Sequence, residues 1–142
     1  MMHVASVFAA VLLIMTGCNQ NDAGTSIPQR WDPAVWSPEQ IQRLEAGRRW
    51  YTQRCAACHQ VSGEGQLTLG APALKGSAVV RGPVAQHIDI VLKGRGNGVM
   101  PAFGKALDTR TIADIINYER NAWGNSDPRL ITAAEVEARK PD

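Results

Sequence analysis

Cys55-Ala56-Ala57-Cys58-His59 is the stretch that decides the reading of this chain. A C-x-x-C-H run is the attachment pattern of a c-type haem. Two thiols three positions apart reach the two vinyl groups on one edge of a porphyrin, and the adjacent histidine falls beneath the iron as its proximal ligand. The same residues could supply half a zinc site or a thioredoxin-like redox pair. A zinc site needs a second pair of ligands, and the remaining candidates are Cys18, His3 and His87, two of which sit in the N-terminal leader. A thioredoxin motif would open a helix after a strand, whereas this one closes a helical pattern. One covalent haem c is the expected cofactor, and redox chemistry the expected class of function.

Upstream of the motif, Ser37-Pro38-Glu39-Gln40 reads as a helix start. Ser37 caps, Pro38 suits the first helical position and Gln40 completes a capping box. Ile41, Leu44, Gly47 and Tyr51 then share one helical face up to Cys55. Downstream, residues 60–82 are Gly-rich without sustained period and predict a loop wrapping the cofactor. Gly82-Pro83 opens a second helix through Lys93, with Ile88, Val91 and Leu92 as its buried face and Gly94 as its stop. Residues 94–104 form another loop, containing Met100-Pro101. Asp108 or Thr109 caps a third helix to about Ala122, with Ile112, Ile115 and Ile116 as its core stripe. Thr132-Ala133-Ala134-Glu135 is a second capping box that starts a short terminal helix. No strand signal competes. The expected class is all-α: three main helices plus a short C-terminal helix wrapped around one covalent haem. A domain of about 100 residues has a thin core of its own, and the haem would supply apolar contact.

The chain has 142 residues, enough for one domain plus a leader. Residues 4–15 form an apolar run too short to span a bilayer, as in a signal-peptide core. Met15-Thr16-Gly17-Cys18 follows and resembles a bacterial lipobox, whose cysteine is diacylated. The expected organisation is a lipoprotein signal peptide over 1–17, a lipidated N-terminus and tether over 18–36, and the haem domain with a short extension over 37–142. The tether could extend to roughly 60 Å. Trp31 and Trp36 are unusual in a linker and are expected to fold back on the domain or meet a partner. Two acyl chains on Cys18 would give stable anchoring, so the expected location is periplasm-facing and lipid-anchored to a membrane. With Cys18 lipidated and Cys55 and Cys58 in thioethers, no disulfide is expected.

Net charge is +2, but residues 43–110 carry ten Lys/Arg against four acids, and each flank is −2. A basic segment around a redox site would steer an acidic partner; a solvated surface explains it equally. No motif supports nucleic-acid binding.

Residues 37–126 resemble a class I cytochrome c, in particular the cytochrome domains associated with bacterial terminal oxidases and periplasmic dehydrogenases. The motifs are Cys55-Ala56-Ala57-Cys58-His59, Gly47 with Tyr51 in the preceding helix, Gly98-Val99-Met100-Pro101-Ala102-Phe103-Gly104, and Tyr118-Glu119-Arg120-Asn121-Ala122-Trp123-Gly124-Asn125. The resemblance implies that Gly47 and Tyr51 meet Ile115 and Tyr118 where the first and last main helices cross. It implies Met100 as sixth iron ligand; this methionine follows His59 by 41 residues, in a Gly-rich loop and directly before a proline. It implies that the Pro72 carbonyl accepts a hydrogen bond from the proximal histidine, fixing its ring. Leu67, Leu69, Leu74, Val99 and Phe103 are expected to line the haem pocket. His87 is the alternative sixth ligand to Met100, but beside Gln86 and Asp89 it is expected at the surface instead. Arg120 and Trp123 have no derivable role.

The implied function is one-electron transfer with His59 and Met100 as axial ligands, and no catalysis of bond chemistry. The expected partners are redox proteins: a dehydrogenase as donor, an oxidase or cytochrome as acceptor. A dedicated subunit of a dehydrogenase or terminal oxidase complex is the alternative. A haem that binds NO, CO or peroxide is a third reading, disfavoured because no distal His/Arg pair is visible.

Overall fold

A computed structural model describes residues 30–141. The leader, Cys18 and most of the expected tether lie outside the described residues. The chain forms helices α1 (Pro38–Arg54), α2 (Ala56–His59), α3 (Ala78–Arg81), α4 (Val84–Lys93), α5 (Thr109–Asn121) and α6 (Ala133–Glu137), with a 3₁₀ turn at Leu67–Leu69. Among the described residues the only β pairing is two isolated bridges, Gln66 with Ala71 and Arg95 with Met100. The fold is all-α, with three long helices and a short terminal one. No helix among the described residues is long and apolar enough to cross a membrane.

The helix ends follow the local chemistry. Ser37 Oγ accepts from Gln40 N while the Gln40 side chain accepts from Ser37 N, closing the capping box of α1. Thr132 and Glu135 do the same for α6. Asp108 caps α5 through Thr111 N. Pro83 is the N-cap of α4 rather than its first residue, and the expected loop over 60–82 contains the 3₁₀ turn and α3.

The framework is α1 packed on α5. A Cβ at Gly47 would overlap the Asp114 carbonyl, so a glycine is what lets the two backbones touch. Tyr51, Tyr118 and Trp123 cluster beside this crossing, with ring centroids 5.0–5.3 Å apart. Trp31 and Trp36 are buried in the same apolar cluster as Leu44, Tyr51 and Tyr118. Trp31 meets Tyr118 edge-on, and its indole N–H donates to Glu45 at 3.0 Å. Trp31 and Trp36 therefore pack on the domain, while residues 32–35 between them are exposed. A second cluster joins Ile88, Val91 and Leu92 of α4 to Ile112, Ala113 and Ile116 of α5 and to Ile131 and Val136. The C-terminal segment is stitched on by Asn117, which both donates to and accepts from the backbone of Ile131.

Candidate haem site

A cavity of about 530 Å³ opens between the two clusters, within the size range of small-molecule and cofactor sites. Cys55, Cys58 and His59 line one part of it, and Met100, Phe103 and Leu107 line another. Cys55 belongs to the aromatic cluster's edge, Met100 and Phe103 to that of the α4–α5 cluster.

The first set is placed by the end of α1. The chain leaves that helix at Cys55 and makes one further turn, α2, which carries Cys58 and His59. Gln60 then takes a positive φ of 61°, a strained state for a non-glycine. The Tyr51 hydroxyl donates to the Gln60 carbonyl at 2.6 Å and holds that bend. Cys55 and Cys58 are not joined in a disulfide. Burial, with the nearby Glu119 charge second, pushes the Cys55 thiol well above its ordinary range.

His59 is buried, and its Nδ1 lies 2.9 Å from the Pro72 carbonyl oxygen. A carbonyl only accepts, so Nδ1 carries the proton in this bond and Nε2 is left with its lone pair. Asn125 braces the same loop, donating to the Leu74 carbonyl and accepting from Gly76 N.

The second set is placed by the loop after α4. Arg95 and Met100 exchange backbone hydrogen bonds of 3.0 Å each. Phe103 N and Gly104 N donate to the carbonyls of Val91 and Leu92, fastening the loop to α4. Gly94, at φ 74°, permits the turn: a Cβ there would come within 2.5 Å of the Met100 carbonyl.

The donor set fits a covalent haem. Two thiols one turn apart, an imidazole with its second nitrogen already engaged, and a thioether all face one apolar cavity. Leu69, Leu74, Val99 and Phe103 line it as expected, but Leu67 does not: it is 85% exposed on the 3₁₀ turn.

His87 is also corrected. It is 3% exposed rather than at the surface, lines the cavity, and its Nε2 lies 2.8 Å from Oε2 of Glu119. Glu119, Arg54 and Arg95 are cavity-lining residues that the sequence reading did not single out. A signal for the first pair was present. His87 stands four residues before Val91, and Glu119 four after Ile115, so both extend an apolar helical stripe.

Arg120 acquires a structural role. Its guanidinium donates to the carbonyls of Val80 and Gly82 and pairs with Asp127 at 2.7 Å. Trp123 donates its indole N–H to the Val61 carbonyl at 2.9 Å, tying the helical framework to the loop after His59.

Residues 42–118 match the family model described as cytochrome c oxidase, cbb3-type, subunit III. The gluconate 2-dehydrogenase cytochrome c subunit of Pantoea cypripedii is 31% identical over 119 residues, covering 77% of this chain and 26% of that protein. The alcohol dehydrogenase (quinone) cytochrome c subunit of Komagataeibacter europaeus is 30% identical, covering 63% of this chain and 21% of that one. The cbb3-type cytochrome c oxidase subunit CcoP of Azospirillum brasilense is 35% identical over 85 residues, covering 56% and 28%. The chain thus spans about a quarter of the length of the relatives it matches. With the family model covering more than half of it, this chain belongs to the cbb3-type subunit III family of c-type cytochrome domains, which bind haem c covalently.

Proposed function

We propose that this cytochrome domain is a periplasm-facing, lipid-anchored one-electron carrier. In this reading Cys55 and Cys58 form the thioethers, and His59 and Met100 are the axial ligands. Pro72 orients His59, and Cys18 carries the lipid. The observation that carries it is the single apolar cavity on which both thiols, the oriented imidazole and the loop-held thioether converge. Haem c supplies reversible one-electron exchange at its iron.

The chain's own residues do the rest. The His59–Pro72 bond keeps the imidazole in one tautomer and one orientation. The fastened 94–107 loop holds Met100 against the cavity, where its thioether would be the second protein ligand to the haem iron. An iron held by two protein ligands would have no position left for a substrate, so the domain would perform no bond chemistry. Val91, Ile115 and Phe103 give the cavity an apolar wall, which together with a thioether ligand would favour a higher potential.

The absorption spectrum of the oxidised, haem-loaded protein tests the ligand set. A weak far-red methionine–ferric band is expected, and Met100→Ala should abolish it, lower the potential and admit CO to the reduced protein. A wild-type protein lacking that band, with high-spin features, would overturn the carrier reading in favour of a ligand-binding haem. For the anchor, Cys18→Ala should move the protein from the membrane to the soluble periplasmic fraction; unchanged membrane association refutes lipid anchoring.

A dedicated subunit of a dehydrogenase or oxidase complex is the second reading, favoured by relatives that are themselves described as cytochrome c subunits of dehydrogenases or as a subunit of a cbb3-type oxidase. The two tryptophans do not argue for it, because Trp31 and Trp36 are buried in their own domain. Co-purification with a redox enzyme after mild solubilisation supports the subunit; elution as a free monomer supports the shuttle.

A further inference from the structure

His87 on α4 and Glu119 on α5 are 32 residues apart in sequence, both nearly sealed from solvent, and joined by a 2.8 Å contact. Both line the cavity that also holds Cys55, Cys58, His59 and Met100. Among the described residues no arginine or lysine forms a salt bridge with the Glu119 carboxylate; its ion-pair partner is His87. Arg120, the next residue, is committed to Val80, Gly82 and Asp127. His87 Nδ1 is buried with no hydrogen-bond partner among the described residues, so the contact with Glu119 is the one side-chain hydrogen bond the ring makes.

We propose that His87 and Glu119 form a proton-binding site coupled to electron transfer, taking up one proton when the domain is reduced and releasing it on oxidation. Without the proton the pair carries one negative charge; with it, the pair is neutral. An arriving electron lowers the charge in the cavity by one, and in this low-dielectric setting a proton on the adjacent pair offsets it. The electron comes from the redox donor and the proton from solvent, and the one bond formed is an N–H or O–H within the pair. Linkage makes the coupling reciprocal: protonation strengthens electron binding by the factor by which reduction strengthens proton binding.

The other ionisable groups around the pair do not serve. Arg54 and Arg95 line the same cavity, Arg81 closes α3 and Arg120 neighbours Glu119, and arginines hold their protons throughout. Burial holds the Tyr51 hydroxyl far above its ordinary range. Cys55 and Cys58 lose their titratable protons on becoming thioethers, and His59 is taken as a ligand. Histidine is the side chain whose ordinary titration falls between about pH 5 and 8.

The inference rests on haem filling this cavity, and the experiment separates the two. Spectroelectrochemical titration of the haem-loaded protein across about pH 5 to 9 should show the redox equilibrium constant falling by up to tenfold per pH unit, about 59 mV for one electron. Glu119→Gln and His87→Phe should each flatten that slope, and Glu119→Gln should raise the potential at the alkaline end, because its negative charge is gone. Slopes equal to the wild type in both variants would assign any pH dependence to the propionates and overturn the proposal. Should the variants fail to fold, nitrogen NMR of histidine-labelled, haem-loaded wild-type protein decides: a His87 signal whose titration differs between the reduced and oxidised states supports the site, and one that titrates identically in both refutes it. A protein that carries no haem refutes the proposed function as well; a haem-loaded protein with a flat titration refutes only the proton coupling.

Discussion

Between α1 and α5 the chain completes its own packing, and around the cavity it does not. At the crossing, Gly47 sits against the Asp114 backbone, Leu44 and Tyr51 are fully buried, and Tyr118 packs on Tyr51 and Trp123. Every partner is another residue of the chain. In the loops over 60–77 and 94–107, Leu69 and Val99 are 50% and 61% exposed although they line the cavity. What orders those loops is mostly backbone and polar: the Arg95–Met100 bridge, the Phe103 and Gly104 bonds to α4, and the Asn125 and Trp123 braces. The contrast teaches which half of the fold is self-sufficient. The helical pair carries its core in its sequence, whereas the loops hold their apolar side chains ready for a group that the sequence encodes only through its attachment residues.

The largest expected effect comes from breaking the self-sufficient half. Gly47→Ala places a methyl group into the Asp114 carbonyl and forces the helices apart. Overpacking costs ~1–3 kcal/mol where side chains can yield and more where backbone must move, so a loss of at least about 3 kcal/mol is expected. That is a large part of the total stability of a small domain. The urea midpoint of the haem-loaded protein reads it; an unchanged midpoint would mean that the helices do not touch at this residue.

Arg120→Met tests the joint between the two halves. The substitution leaves two carbonyls near α3 and the Asp127 carboxylate without their donor. Breaking a buried charged cluster on one side costs about 3 kcal/mol or somewhat more. Hydrogen exchange should accelerate first over α3 and the start of α4, with the α1–α5 amides following only as global stability falls. Uniform acceleration would show that the halves unfold as one unit and would dissolve the distinction.

The legibility of the sequence divides along the same line. The caps at Ser37, Asp108 and Thr132 were readable because a cap is a contact within three residues. So were the stripes Ile88-Val91-Leu92 and Ile112-Ile115-Ile116, since helical period alone puts them on one face. What failed was read from near neighbours although distant ones decide it. His87 looked polar beside Gln86 and Asp89, but its burial is decided by Glu119, 32 positions on. Leu67 looked like pocket lining on hydrophobicity, yet the 3₁₀ turn directs it outward. Arg120 had no legible role because its partners are mainly backbone carbonyls, which every residue possesses.

The smallest expected effect lies at the seam where the Met100 loop becomes α5. Asp108 accepts from Thr111 N at 2.8 Å and from Thr111 Oγ1 at 3.0 Å. The Thr111 backbone bond is the main cause holding its carboxyl below the ordinary value, with burial opposing it and the Thr111 hydroxyl bond adding to it. A carboxylate whose folded pKa is depressed stabilises the fold above its unfolded pKa, and that contribution disappears as pH falls through the folded value. Asp108→Ala should therefore cost about 1 kcal/mol near neutral pH, with the gap to the wild type narrowing as the pH falls below about 4. Asp108→Asn keeps an acceptor for Thr111 N without a titrating group, so it should retain most of the cap and lose its pH dependence. Parallel urea titrations of the three proteins at neutral and acid pH make the comparison. If the alanine gap stayed constant down to the acid limit, the neutral acceptor and not the carboxylate charge would hold the seam, and Asp108→Asn would match the wild type at every pH.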